Sequence, residues 1–438
     1  MSMSAPLRKR AGRAGWLCMA APAALAPALA DAAGFALLEQ SGSGVGIAFA
    51  GTAASADDAA AQFFNPAGLA LIERPQAALV AHGVNLKDEF EDRGSSLPAA
   101  GLGTLPTGVI RDDAGGFIPV GNGYLAWPVD ERFSLGVGVN APFGLEVEYE
   151  DFWIGRFQGI RSELITINLN PAVAWRVNEW LALGAGLNFQ TADAELTNAV
   201  LLAPGVEGRA ELDVDDDAWG WNIGGLATLP AGTRIGLSYR SKVDYTLSGD
   251  VTVTTLDGTV VPAASGPVRA ELEMPDFVVL SVAHPVRPGI ELRADVQWTN
   301  WSRVDTIVAT DPETGAVRDI LRFGFDDAWR VAAGVQYEWS ERWTFRGGLA
   351  WDESPVRDER RTVRLPDDDR WWIALGARWR PTDTLDVDFG YARLFVDDPE
   401  VHLTREQVGA PPAFASTVNG VYDSTVGVYS VQLTWSFL

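Results

Sequence analysis

The 438-residue chain has one cysteine and three histidines, and beyond its N-terminal leader it lacks any apolar run of the roughly 18 to 20 residues that a membrane helix needs. Cys18 falls inside that leader: Arg8, Lys9, Arg10 and Arg13, an alanine-rich apolar run from Ala14 to Leu29, and small residues at Ala28, Ala30, Ala32 and Ala33. This order reads as a secretory signal peptide, residues 1–32, cleaved after Ala30 or Ala32. The run is short and holds Pro22 and Pro27, which argues against an anchoring helix. Without the leader the chain has no thiol, so disulfides and thiolate metal sites are excluded. His82, His284 and His402 show no helical metal spacing and there is no GxSxG elbow, so neither a metal, a cofactor nor a serine hydrolase is expected. Positive charge is scarce too. The net charge is −24, and loss of four basic residues and Asp31 with the leader makes it −27, which argues against nucleic acid and anionic lipid as partners.

What the chain does have is aromatic and turn-forming: 17 Trp and 45 Gly. The tryptophans are ordered. In WWIALGARWR, Trp371, Ile373, Leu375, Ala377 and Trp379 alternate with Trp372, Ala374, Gly376, Arg378 and Arg380. Successive strand side chains point to opposite faces, so one face is an apolar stripe with an indole at each end. Trp343, Phe345, Gly347, Leu349 and Trp351 repeat the pattern, and so do Trp329, Val331, Ala333, Val335, Tyr337 and Trp339. Eight residues at about 3.3 Å each, tilted near 40°, span roughly 20 Å, close to the apolar band of an outer-membrane barrel with its two aromatic girdles.

The same rhythm predicts an all-β fold, a transmembrane antiparallel β-barrel of about 14 strands, near 75–90, 116–128, 132–144, 160–177, 180–195, 217–229, 234–249, 268–286, 290–304, 325–339, 342–352, 369–380, 384–396 and 421–437. Short connections such as Asp130-Glu131 and Ser340-Glu341 alternate with long polar ones, about 91–115, 145–159, 196–216, 250–267, 305–324, 353–368 and 397–420. Periplasmic turns are the short kind, so both termini are periplasmic and the chain is expected in the bacterial outer membrane. Residues 33–74 precede the barrel of residues 75–438. They are rich in Gly, Ala and Ser and long enough to plug the cylinder.

The stretch GFALLEQSGSGVGIAFAGTAASADDAAAQFFNPAGLA, residues 34–70, resembles the N-terminal hatch of the FadL/TodX family, outer-membrane transporters of long-chain fatty acids and aromatic hydrocarbons. The likeness extends through residues 152–177, TNWS (299–302), residues 354–372 and FGYARLF (389–395). The resemblance implies a hatch-plugged barrel that captures ligand among its outer loops and releases it sideways through an opening near a kinked third strand. Asn65, Pro66 and Ala67 match the family's hatch motif.

On this reading Asn65, Pro66, Ala67 and Gly68 form the hatch gate, because Pro66 fixes φ and biases Asn65 away from helix while Gly68 permits a sharp bend. Phe63, Phe64, Arg330, Arg346 and Arg378 are candidate ligand or lumen contacts; the arginines equally suit an ion network with Glu291, Asp295, Glu338, Asp386 and Asp388. Asn140, Pro142, Phe143 and Gly144, with Pro171 on the neighbouring strand, are candidates for the kink and opening. The acid runs 213–217 and 366–369 read as solvated loops, with divalent-cation binding the lesser alternative. Expected partners are a long-chain fatty acid or other hydrophobic small molecule, outer-membrane lipid and lipopolysaccharide, with the barrel monomeric. A general diffusion porin and an outer-membrane lipolytic enzyme are the alternatives from other classes.

Overall fold

The computed structural model describes residues 34–437, apart from 102 and 104. The leader read as a signal peptide lies outside these residues. Twenty-one strand segments join in one sheet, and all but the short Arg111–Asp113 assemble into fourteen antiparallel barrel strands. Counted in chain order, strands one and two are Gln76–Asp92 and Phe117–Pro128, and strand three has two pieces, Phe133–Asn140 and Gly144–Glu148. Strands four, five and six are Arg161–Arg176, Leu181–Ala203 and Val206–Thr228. Strand seven is Arg234–Arg240 with Val243–Thr255, and strand eight is Gly266–Met274 with Phe277–Arg287. Strand nine is Ile290–Thr299 with Thr306–Thr310, and strand ten is Val317–Arg322 with Ala328–Glu338. Trp343–Asp352, Arg370–Thr382, Leu385–Val396 with Glu400–Arg405, and Ser416–Ser436 complete the series.

Strand fourteen pairs with strand one from Gln76↔Ser436 to Asp92↔Gly420, which closes the cylinder. Closure matters because an unsatisfied backbone group in hydrocarbon costs several kcal/mol, and an open sheet would leave two edges of them.

The alternation seen in the sequence sorts side chains as that environment demands. Trp371, Ile373, Leu375 and Trp379 are exposed on the outer wall, whereas Trp372, Ala374 and Arg378 are buried inside. Register then aligns the indoles into belts: Trp343 faces Trp379 and Trp351 faces Trp371 across strands eleven and twelve. Trp298 faces Trp329 across strands nine and ten.

Several expected loops are in fact strand. Strands five and six run 23 residues each and turn at Pro204-Gly205, so the expected long loop 196–216 is a projecting hairpin. Above the bilayer both outward faces meet water, so the hydrophobic alternation that marks a membrane strand fades while the pairing continues. For the same reason the acids of 213–217 sit on strand six: Asp213, Asp215 and Asp217 face outward and Val214 inward. Among the described residues no group of three acids or histidines is arranged to hold a metal ion.

Residues 34–72 lie inside the cylinder as short turns of helix, nearly all buried. Small residues let them touch the wall. Gly46 lies so close to Gly376 of strand twelve that a Cβ on either would meet the other's backbone at 2.6–2.7 Å.

Candidate functional site

The lumen segment is held by ion pairs and by caps. Asp57 receives both terminal nitrogens of Arg293, at 2.6 and 2.9 Å. Its neighbour Asp58 accepts from Ser43 at 3.0 Å and from Arg378 at 3.3 Å. Burial works against ionising Asp57, but the guanidinium of Arg293, with Arg346 and Arg378 behind it, holds the carboxyl well below its ordinary range. Asp58 is pushed up, with burial outweighing Arg378.

The three arginines singled out in the sequence all point inward and are all engaged. Arg346 and Arg378 share Asp388, at 2.5 and 2.9 Å. Arg330 donates to the Ala48 carbonyl at 2.6 Å and lies 3.6 Å from Asp295. Of the lumen acids named with them, Glu291, Asp295, Asp386 and Asp388 join this network, and Glu338 is exposed at the strand end. Ala48 and Phe49 sit at φ 49° and 54°, a left-handed turn held closed by the Arg330 bond.

Asn65 caps the turn Pro66–Leu71. Its side chain accepts from Ala67 N at 3.0 Å and donates to Ala53 O at 2.7 Å and to Gly225 O of strand six at 3.1 Å. Gly224, beside it, leaves the room that Asn65 Oδ1 occupies. Phe63 and Phe64 are buried against each other, with ring centroids 5.1 Å apart, and Phe64 also meets Phe49.

The wall itself is interrupted beside this segment. Strand three pairs with strand two only from Ser134↔Pro128 to Val139↔Gly123, so Phe117–Asn122 of strand two lacks a ladder partner on that side. Against strand four, pairing passes from Asn140↔Asn168 to Gly144↔Ile165, three residues bulging opposite two. Thr166 covers the bulge, accepting from Phe143 N at 3.0 Å and donating to Phe143 O at 2.6 Å. Pro142, which has no N–H, turns the chain inward to meet residues 35–40. Leu37 N donates to Pro142 O and Gly144 N to Phe35 O, both at 2.9 Å, and Gln40 Nε2 donates to Ala141 O at 2.8 Å.

Pro171 is placed differently from Asn140, Pro142, Phe143 and Gly144. It faces Val137 within an unbroken ladder between strands three and four, and the pairing missing beside it is towards strand five, between Leu169↔Phe189 and Ala172↔Gly186. There the Asn170 amide donates to Leu187 O at 2.7 Å, standing in for the donor proline lacks.

At the long-loop end are two cavities. One, of about 510 Å³, is lined mainly by aliphatic residues including Leu196, Leu201, Val253, Val261 and Val268. The other, of about 570 Å³, is bordered by Leu321, Phe323, Leu403, Arg322, Arg360 and Arg364. Arg405, paired with Asp319 at 2.7 Å, stands between them.

Residues 23–437 match the family model described as outer membrane protein transport protein (OMPP1/FadL/TodX). The chain belongs to this family. It is 31% identical to outer membrane protein P1 of Haemophilus influenzae, over 94% of this chain and 97% of that one. It is 28% identical to a long-chain fatty acid transport protein of Escherichia coli, over 91% and 94%. A crystal structure of a Pseudomonas aeruginosa FadL homologue superposes with a TM-score of 0.85 at 23% identity, covering 93% of this chain and 100% of that one. The Pseudomonas putida toluene transporter TodX gives 0.67 at 16%, covering 86% and 94%. A FadL/TodX chain with this barrel is an outer-membrane protein, and the family transports hydrophobic compounds.

Four residues escaped the sequence reading. Gln40 is one polar residue in a small-residue stretch, Asp57 and Asp58 lay within the segment expected to fill the barrel without a role of their own, and Arg240, which donates to the Phe63 carbonyl at 2.9 Å, is one polar residue at the end of Arg234–Arg240 of strand seven. The signal available for Asp57 and Asp58 was their place in a segment otherwise rich in small and apolar residues.

Proposed function

We propose that this protein carries hydrophobic molecules, long-chain fatty acids or aromatic hydrocarbons, from the outer loops into the outer membrane, with residues 34–72 acting as the hatch and release occurring sideways between strands two and three. The observation that carries the reading is the stretch Phe117–Asn122, which has no ladder partner towards strand three; there residues 35–40 bond instead to the bulge of strand three, and Asn122 donates to Glu39 O at 2.7 Å. The aliphatic loop cavity is suited to capture. Lateral release keeps cargo in apolar surroundings, and each methylene returned to water would forfeit about 0.8 kcal/mol. A general diffusion porin fits poorly with a lumen packed by buried residues held through Asp57, Asp58 and Asn65.

Ala36 and Phe143 form an antiparallel bridge across the closure, a spacing compatible with a disulfide. In an Ala36→Cys/Phe143→Cys variant, oxidation should abolish uptake of labelled oleate and reductant should restore it. Uptake by the oxidised barrel at the rate of its reduced form would defeat the reading.

A further inference from the structure

Nine arginines are buried among the described residues, and seven of them have a carboxylate within ion-pairing distance. The exceptions are Arg240 and Arg364. Arg364 is spread over the edges of strands four and five at the loop end, bonded to Arg161 O, Ser162, Thr197 O and Asn198. Arg240 lies deep in the lumen, and all its partners are neutral. It donates to the Phe63 carbonyl of the hatch at 2.9 Å and to Asn188 Oδ1, and its guanidinium sits 4.3 Å above the Phe63 ring.

From Arg240 a line of buried amides leads to the wall interruption. Asn188 accepts from Asn168 at 3.2 Å, and Asn168 donates to Asn140, the last residue before the bulge, at 3.1 Å. The line is under-satisfied: Arg240 Nε, Asn140 Nδ2 and Nδ2 of Asn222, whose oxygen accepts from Asn188, are buried donors with no partner, and Asn168 Oδ1 is a buried acceptor with none. A buried cation with only neutral acceptors, next to orphaned donors, is a costly arrangement in a lumen where other arginines meet acids. It is also the arrangement a carboxylate would complete.

We propose that Arg240, with Asn188 and Asn140, forms an inner carboxylate-binding station, and that the head group of an amphiphilic acid unlatches the hatch by replacing the Phe63 carbonyl on Arg240. This rests on the hatch and side-exit reading. The guanidinium already gives the Phe63 carbonyl a charge-assisted bond, but a carboxylate adds a full opposite charge and can take two parallel N–H bonds, so it outcompetes a backbone carbonyl for the same guanidinium. A neutral hydrocarbon of the same length has no acceptor to offer in exchange, and an alcohol has one neutral hydroxyl oxygen that brings no opposite charge. The hatch therefore opens more readily to acids than to their neutral analogues.

A nitroxide on Ser55→Cys, in a mature chain otherwise without thiols, reports hatch mobility in purified barrel. Decanoate should shift the mobile population roughly tenfold or more relative to decanol. Arg240→Gln should raise the basal mobile fraction and abolish the difference, and Arg240→Lys should keep part of it. Heat-modifiable gel mobility verifies that each variant is folded; should Arg240→Gln fail to fold, the wild-type comparison of decanoate with decanol decides alone. Equal responses of the wild type to acid and alcohol would overturn the proposal, as would a folded Arg240→Gln barrel that still distinguishes them. The disulfide lock separates this outcome from failure of the side-exit reading: a lock that blocks uptake, with acid and alcohol acting alike, removes only the Arg240 station.

Discussion

Gln40 and Ala141 meet where the barrel wall stops pairing. The Gln40 amide donates to Ala141 O at 2.8 Å and to Leu37 O at 2.9 Å, so one buried side chain ties the N-terminal segment to the bulge in strand three. Truncating that side chain to a methyl group strands two carbonyls in a site from which water is largely excluded. Leaving such a group unsatisfied costs about 1–3 kcal/mol. Gln40→Ala should thus raise the population with an unseated segment by roughly 5- to 150-fold, seen as increased leak conductance in planar bilayers. Conductance unchanged from wild type would mean that the closure does not depend on this bond.

Asn65 and Gly224 should behave as one unit. Asn65→Ala removes the cap on Ala67 and two donated bonds, a loss of about 1–2 kcal/mol. In Gly224→Ala the new methyl takes the space of Asn65 Oδ1 and displaces the same side chain. Nitroxide mobility at Ser55→Cys should increase in either variant, and the double variant should be hardly worse than Asn65→Ala alone. Additive effects would separate the two residues.

How much of this was open to a reader of the sequence depends on which physical rule was in force. Trp371, Ile373, Leu375 and Trp379 could be placed because lipid on one side imposes a strict period of two and a fixed span between indoles. Asp213–Asp217 could not, since that period relaxes once strands five and six leave the bilayer. Pro142 announced the bulge in strand three, because a missing N–H is a local property. Pro171 looked equivalent and was not: sequence shows that a donor is missing but not towards which neighbour. The partners of Arg346 and Arg378 come from opposite ends of the chain, Asp57 and Asp58 against Asp388, and no spacing rule reports that meeting.

Arg378 and Asp388 form a buried ion pair, 2.9 Å apart, within the lumen network. Removing Arg378 leaves Asp388 and Asp58 with less compensating charge, and breaking a buried pair typically costs about 3–5 kcal/mol. The temperature at which the folded band is lost on seminative gels should therefore fall clearly for Arg378→Met. Adding Asp388→Asn should recover part of the loss, because the uncompensated charge goes with it. A double variant less stable than the single would show that packing, and not charge, dominates at this site.

Glu39 should make the seating of the N-terminal segment depend on pH. Its carboxyl is fully buried, neither oxygen accepts a hydrogen bond from another residue, and burial pushes it up to about 7 from an ordinary 4.5. Arg370 and Arg330 oppose that rise and Asp352 adds to it. A carboxyl whose seated value exceeds its free value binds its proton more tightly when seated. Its contribution to seating is therefore complete below about 4.5 and is lost as pH rises through about 7. The difference corresponds to on the order of 3 kcal/mol. A nitroxide on Ala36→Cys should report a progressively more mobile N-terminal segment between about pH 5 and 8. Glu39→Gln, which cannot ionise, should flatten that profile at its low-pH level. A profile unchanged by Glu39→Gln would assign the titration to another group, and a flat wild-type profile would show that the seated segment tolerates the charge.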